Sequence, residues 1–309
     1  VAPLIVDVSH APAIPRSTDA VTVSLKVFDE RLDTVSATLF WRPDLDDHFQ
    51  QVAIERTGRV GVARIPALPH GTVVEFYVEA TDSDGNRRVV PTWESDDPQR
   101  SANLLYQVDD EAVQFEDWPS DQQTVNYLVM TDVERTILRD IGDGPLLEAS
   151  SNSRMNATFI QVDGNSQDVR YQVGVRNRGG SSRIGPPNNY RINFAHDATF
   201  QGRTSLNLNS RFTHAQVIGS AIYRLAGLPA AEARPVQVRV NGLDLAEPGG
   251  PLMFGSYAEL EVITGSFPDR YFPDDRRGNL YRVIEAGTQT GDLRFEGNDP
   301  AAYQDTYLK

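Results

Sequence analysis

The sequence predicts two domains: an all-β sandwich, then an α+β domain with a mostly antiparallel sheet. Three observations predict it. Within residues 1–108, Val21, Val23, Leu25 and Val27 alternate with Thr22, Ser24 and Lys26. Val35, Ala37, Leu39 and Trp41 repeat the pattern, as do Val74, Phe76, Val78 and Ala80. A period of two marks strands with one buried and one wet face. Residues 109–123 (DDEAVQFEDWPSDQQ) are acidic, aperiodic and broken by Pro119, which makes them a linker. From residue 124 to 309, strand-like runs mix with two helical patterns.

Turn clusters separate the first runs: Arg42-Pro43-Asp44, Pro69-His70-Gly71 and Asp82-Ser83-Asp84-Gly85-Asn86. Short strands at even spacing without a helical stretch suggest a sandwich. The segment IPALPHGTVVEFYVEATDSDGN (65–86) resembles the end of bacterial immunoglobulin-like or fibronectin-like modules, which makes the expected sandwich immunoglobulin-like. In the second domain, VNYLVM (125–130) is a buried-strand candidate. Thr131 and Glu134 fit a capping box, with Ile137, Leu138 and Ile141 as the apolar face and Gly142 as the stop. Residues 155–162 and 169–176 read as strands paired around Asp163-Gly164-Asn165. A second helix spans 213–225, where Val217, Ile218, Ala221, Ile222 and Leu225 form a stripe before Gly227 and Pro229. Strands follow at 236–240 and 255–263.

Composition excludes several classes. With 39% hydrophobic and 23% charged residues, the chain is neither disordered nor membrane-embedded, and no apolar run reaches the ~20 residues that span a bilayer. There is no cysteine, which removes disulfides, thiolate nucleophiles and Cys-ligated metals. A formal charge of −14 argues against nucleic acid and anionic membranes as partners, though not against a local basic pocket. Lys26 and Lys309 are the only lysines, so cationic contacts between them fall to arginine, a planar fork rather than a point charge. The chain begins at Val1, consistent with a removed leader or with an internal start.

The densest cluster of polar, backbone-permissive residues is VRNRGGSSRIGPPNNYRINF (175–194). A strand carrying Arg176 and Arg178 runs into Gly179-Gly180-Ser181-Ser182-Arg183, and another resumes at Tyr190. Glycines admit close backbone approach, hydroxyls and amides donate, and arginines neutralise charge: the ingredients of a phosphate-cradling hairpin. The same composition also suits a plain flexible turn.

That segment resembles the "VxVRxRGNSSR…KSYRIKF" core of the CotH family, named for a spore-coat protein. Other motifs follow in order: MNATFIQVDG (155–164), GRTSLNLNS (202–210), IYRLAGLPAA (222–231), VRVNG (238–242), GSYAELEVI (255–263), FPDRYF (267–272), GNLYR (278–282) and DLRFEGNDPAAY (292–303). The likeness covers roughly 124–309. It implies an atypical protein-kinase-like fold and, in active members, transfer of phosphate from ATP with Mg²⁺ or Mn²⁺ to Ser of extracytoplasmic proteins. On that resemblance Arg176, Arg178, Ser181, Ser182 and Arg183 form the phosphate side, and Glu261 orients a cation or contacts the metal. It also implies a secreted or cell-surface bacterial protein acting on an extracytoplasmic substrate or surface partner.

Two departures weigh against catalysis by this chain. The stretch after the hairpin reads Pro186-Pro187-Asn188-Asn189-Tyr190, without the family's lysine. The chain ends at Tyr307-Leu308-Lys309, before the "WDLD"-like acids of active members, so no catalytic residue is assigned. The alternative is a pseudokinase or coat scaffold, with the sandwich binding a partner or polysaccharide. Trp41–Asp47 (WRPDLDD) mimics the missing acids but precedes the hairpin, and reads as a charged turn. Asp82–Asn86 lacks the bidentate Glu of a calcium loop and also reads as a turn. The five histidines have no metal-ligand spacing.

Overall fold

The computed structural model describes residues 1–92, 102–113, 117–119, 122–143, 151–179, 183, 188–245, 255–264, 266–277, 280–283, 285–286, 289–290, 295, 297–304 and 307–308. The chain is mostly β. The alternating runs near the start form two sheets. One has the order β1 (Leu4–Ala11), β2 (Val21–Phe28), β6 (Val60–Ile65), β5 (Glu55–Thr57). The other runs β4 (Gln50–Ala53), β3 (Ser36–Pro43), β7 (Val73–Thr81), β8 (Arg87–Val90), with β9 (Leu104–Gln107) also paired to β7. Val23 and Leu25 from the first sheet meet Leu39, Trp41, Phe76 and Val78 from the second in one core. The inward residues are those the alternation marks, because a pleated strand sends successive side chains to opposite faces.

The following strands close a barrel in the order β10 (Val125–Val129), β11 (Met155–Val162), β12 (Gln167–Asn177), β13 (Tyr190–Asn193), β14 (Ser205–Asn209), β16 (Tyr257–Glu261), β15 (Ala233–Val240). Its pairs are antiparallel except β10 with β15, the parallel seam that shuts it. Leu128, Phe159, Ile192, Leu206, Val238 and Tyr257 fill the interior. The helix α1 (Asp132–Asp143) adds Leu138 to that core. Its Glu134 N–H donates to Thr131 Oγ1 at 3.3 Å, the expected cap, and the helix runs one residue past Gly142. The helix α2 (Thr213–Leu225) has the expected bounds, but its apolar stripe is exposed: Ile222 is 60% and Leu225 88% accessible.

Sandwich and barrel share buried contacts. Val73 and Leu105 pack on Val129, and Ala13 and Ile14 on Tyr127 and Ile160. Leu105 N–H donates to Thr158 Oγ1 at 3.2 Å, and Asn156 Nδ2 to the Asn103 carbonyl at 2.9 Å. Asp109 and Ala112, in the acidic stretch, are buried. The chain divides into two compact units, Val1–Ile222 with Glu232–Glu261, and Tyr223–Ala231 with Val262–Lys309. Inside the second, α3 (Ser266–Tyr271) stacks Phe267 near Tyr271 at 4.8 Å, and Tyr271 Oη donates to the Ala230 carbonyl.

Candidate anion-binding site

The barrel wall sets where each candidate side chain points. On β12, Val173 and Val175 face the core, so Gly174 and Arg176 face out; on β13, Tyr190 and Ile192 face in and Arg191 out. Arg176 and Arg191 are Cα partners across that pair, two like charges directly opposite one another. Arg176 Nη1 donates to Asn152 Oδ1 at 2.8 Å, and Arg183 Nη2 to the same oxygen at 2.7 Å. Arg183 also holds the Gly179 and Ser151 carbonyls at 2.8 and 2.9 Å. Arg178, one strand end further, donates from Nη1 to Asn209 Oδ1.

The structure therefore gathers Arg176, Arg178 and Arg183 on one side of the wall. Burial, and then the charges of Arg191, Arg183, Arg154 and Arg178, push the Arg176 guanidinium down to about 10. Burial and then Arg154 also push Arg191 down. Two of these five arginines, Arg154 and Arg191, are missing from the sequence-based set. Arg191 lies inside the motif that drew attention to the hairpin. Arg154, in a Ser-rich run before β11, carries no local signal. Ser181 and Ser182 lie outside the described residues, as does Lys309.

Glu261 is not part of this group. It is the Cα partner of core-facing Leu206, so its side chain points into the barrel, opposite to the arginines. There its Oε2 accepts from the Glu232 backbone N–H at 3.2 Å. Two residues earlier, Glu259 is the hub of a buried polar network. Its Oε1 accepts from Arg234 Nε at 2.9 Å, and its Oε2 accepts from Asn126 Nδ2 and Gln161 Nε2 at 2.8 and 3.1 Å. Sequence reading passed over Glu259 because strand alternation alone does not reveal that the barrel mouth is polar.

The two lookalike acid motifs are turns. Arg42 is buried and directs Nε and Nη2 to Glu75 Oε1 at 3.1 and 2.9 Å, while Asp46 N–H closes on the Pro43 carbonyl. The Asp82 carboxylate accepts from Asn86 Nδ2 at 2.7 Å and from the Asn86 and Asp84 backbone N–H groups at 2.8 and 2.9 Å, which holds it below the usual carboxylate range. Beside Arg42, a cleft of about 550 Å³ is lined by Asp44, Glu75, Glu134 and Arg154. Among the described residues no three His, Asp or Glu side chains gather to hold a metal ion. The guanidiniums fit phosphate; the described carboxylates do not fit a Mg²⁺ or Mn²⁺ site.

Residues 175–308 match the family model described as CotH kinase protein. No curated protein matches the chain. Among solved structures, it is similar to the cycloalternan-forming enzyme of Listeria monocytogenes in complex with a pentasaccharide substrate, at 9% identity and a TM-score of 0.24. That match covers 65% of this chain and 19% of the enzyme. A Listeria monocytogenes EGD-e protein in complex with glucose, magnesium and calcium matches with the same identity, coverage and TM-score. The chain thus spans about a fifth of the length of these structures.

Proposed function

We propose that the outward arginines Arg176, Arg178 and Arg183 bind the phosphates of ATP, a reading supported by the match of residues 175–308 to the family model described as CotH kinase protein. The carrying observation is the shared hold of Asn152 Oδ1 on Arg176 and Arg183. It draws two guanidiniums to one oxygen in a chain whose net charge is −14. Planar forks fixed in advance bind phosphate oxygens as charge-assisted pairs at little ordering cost. On this reading the chain is the nucleotide-facing part of a secreted or cell-surface kinase acting on Ser of extracytoplasmic proteins. Phosphoryl transfer needs mainly positioning and charge neutralisation, which arginines on a barrel wall supply.

A second reading, a non-catalytic surface scaffold whose sandwich takes a partner or polysaccharide, is favoured by Glu261. Its carboxylate is turned into the barrel, away from the arginines.

Calorimetry of ATP binding, for the wild type and Arg178→Ala, tests the first reading. Binding in the micromolar range that the variant abolishes at unchanged melting temperature is the expected result. Absence of any ATP binding by the folded wild type sinks it and leaves the scaffold.

A further inference from the structure

We infer that the cavity where helix α1 meets the end of the barrel binds a free aromatic amino acid whose ring carries a hydrogen-bonding atom, tyrosine or tryptophan. This holds whether or not ATP binds the outer wall.

The cavity has a volume of about 310 Å³, inside the range of roughly 300–1,000 Å³ that small-molecule sites occupy. Its floor is apolar: Met130, which follows β10, Val240, which ends β15, and Leu138 of α1 are all buried. Two polar side chains line the same space. Asn188 is 7% exposed and Tyr190 5%, yet neither the Asn188 amide nor the Tyr190 hydroxyl makes a hydrogen bond among the described residues. A buried polar group left without a partner costs free energy that a ligand atom recovers. Both side chains are held from behind. The Tyr190 ring stacks on Tyr257 at 6.4 Å, and the Tyr257 hydroxyl donates to the Asn188 carbonyl at 3.5 Å. The intervening Asn189 accepts the Ser210 N–H through Oδ1 at 2.8 Å. Burial pushes the Tyr190 hydroxyl up to about 12, against the opposing pull of the Arg135 charge. It therefore keeps its proton at neutral pH and both donates and accepts.

Charge enters at the mouth, and in both signs. Asp132, Arg139 and Asp143 line the cavity from exposed positions and Arg135 from a half-buried one. Arg139 lies 3.5 Å from Asp140, and among the described residues no ion pair joins either arginine to Asp132 or Asp143. Such a mouth suits a zwitterion, its carboxylate toward Arg135 and its ammonium toward the acids. A lone anion would meet Asp132 and Asp143 as like charges, and a hydrocarbon would leave the buried amide and hydroxyl unmet. The ligand's parts follow the same order as the cavity's. The charged head lies at the mouth, the ring on Met130, Leu138 and Val240, and the polar ring atom at Asn188 and Tyr190.

The test is calorimetry on the full chain with L-tyrosine, L-tryptophan, L-phenylalanine, tyramine and adenosine. It compares the wild type with Tyr190→Phe, Asn188→Ala and Arg135→Gln, with melting curves to confirm folding. L-Tyrosine or L-tryptophan is expected to bind, and L-phenylalanine about tenfold or more weaker, because it leaves the buried groups unpaired. Tyr190→Phe and Asn188→Ala, two variants so that the unfolding of one leaves the other, should weaken the bound amino acid by about tenfold and L-phenylalanine by less than about twofold. Tyramine, which lacks the carboxylate, should bind about tenfold weaker than L-tyrosine to the wild type and within about twofold of it to Arg135→Gln. Three results would each overturn the inference. They are equal binding of L-phenylalanine and the polar-ring amino acids, no saturable binding of either L-tyrosine or L-tryptophan, and displacement of the bound amino acid by adenosine. The last would assign the cavity to the nucleotide.

Discussion

His10 of the sandwich and Tyr171 of the barrel wall hydrogen-bond to each other twice. The His10 backbone N–H donates to Tyr171 Oη at 3.0 Å, and the same hydroxyl meets His10 Nδ1. His10 Nε2 lies 2.9 Å from the Ala13 carbonyl, so Nε2 carries the proton and Nδ1 accepts from the tyrosine. The imidazole stacks on Tyr106 at 5.0 Å; His10 and Tyr106 are buried and Tyr171 is partly so. Tyr171→Phe keeps the ring but strands two buried histidine groups. A loss of about 1–3 kcal/mol in denaturant unfolding is expected; a change below about 0.5 kcal/mol would show that the pair contributes only packing.

Burial pushes the His10 imidazole down to about 4, partly offset by the Ala13 carbonyl. Its folded pKa lies below its unfolded one, near 6.5, so the unfolded chain takes up a proton first as pH falls. The stabilisation is full above about pH 6.5 and is lost progressively down to about pH 4. In His10→Gln this acid-side loss should shrink, read as the difference in unfolding free energy from wild type across that window. Parallel curves for the two proteins would count against it.

Glu134 acts in the opposite direction over an overlapping window. Burial pushes its carboxyl up to about 7, against the hydrogen bonds from Thr131 and Asn156, and Glu75 adds to the rise. The unfolded chain ionises first as pH increases, so stability declines between about pH 4.5 and 7 and is flat above. Glu134→Gln, which still accepts the Asn156 N–H, should melt higher than wild type at pH 8 and no higher at pH 4. Equal melting differences at both pH values would refute the assignment.

The Arg42–Glu75 pair is buried, and Asn103 Nδ2 closes the remaining carboxylate oxygen at 3.0 Å. Removing one partner leaves a buried charge, so Arg42→Ala should cost about 3–5 kcal/mol, whereas Arg42→Met with Glu75→Leu should recover most of it. A double variant no more stable than the single one would mean that the pair itself is required.

Phe159 fills the barrel interior between Phe194 and Phe200, edge-on to both at 5.5 and 5.0 Å. Phe159→Ala opens a cavity that rigid barrel strands cannot collapse, at a cost of about 3–5 kcal/mol. Near-wild-type unfolding would mean that the barrel repacks.

Local patterns carried much of the fold. The alternation at Val21–Val27 and Val35–Trp41 named the inward residues, and the Thr131–Glu134 box and Leu225 gave helix bounds, because pleat, cap and helical period are properties of neighbouring residues. The candidate site was only partly legible. Arg176, Arg178 and Arg183 stood out through their glycine-rich setting, whereas Arg154 joins them only because the pairing of β11 with β12 lays the residue before β11 beside Gly174, and Glu261 leaves them only because the barrel wall has two sides. Nor did the stripe on α2 announce that it would stay exposed, since periodicity shows an apolar face without showing what covers it.

The sequence by itself determined the β-rich character, the segment that resembles a known family and a cationic hairpin in an acidic chain. The tertiary structure alone decided that the second sheet closes on itself through the parallel β10–β15 pair. It also decided that the sandwich shares buried contacts with the barrel and that five arginines from separate segments meet on its outer wall. Those are outcomes of long-range pairing, and a side chain's neighbours across a sheet are fixed by register between distant strands rather than by any residue beside it in the chain.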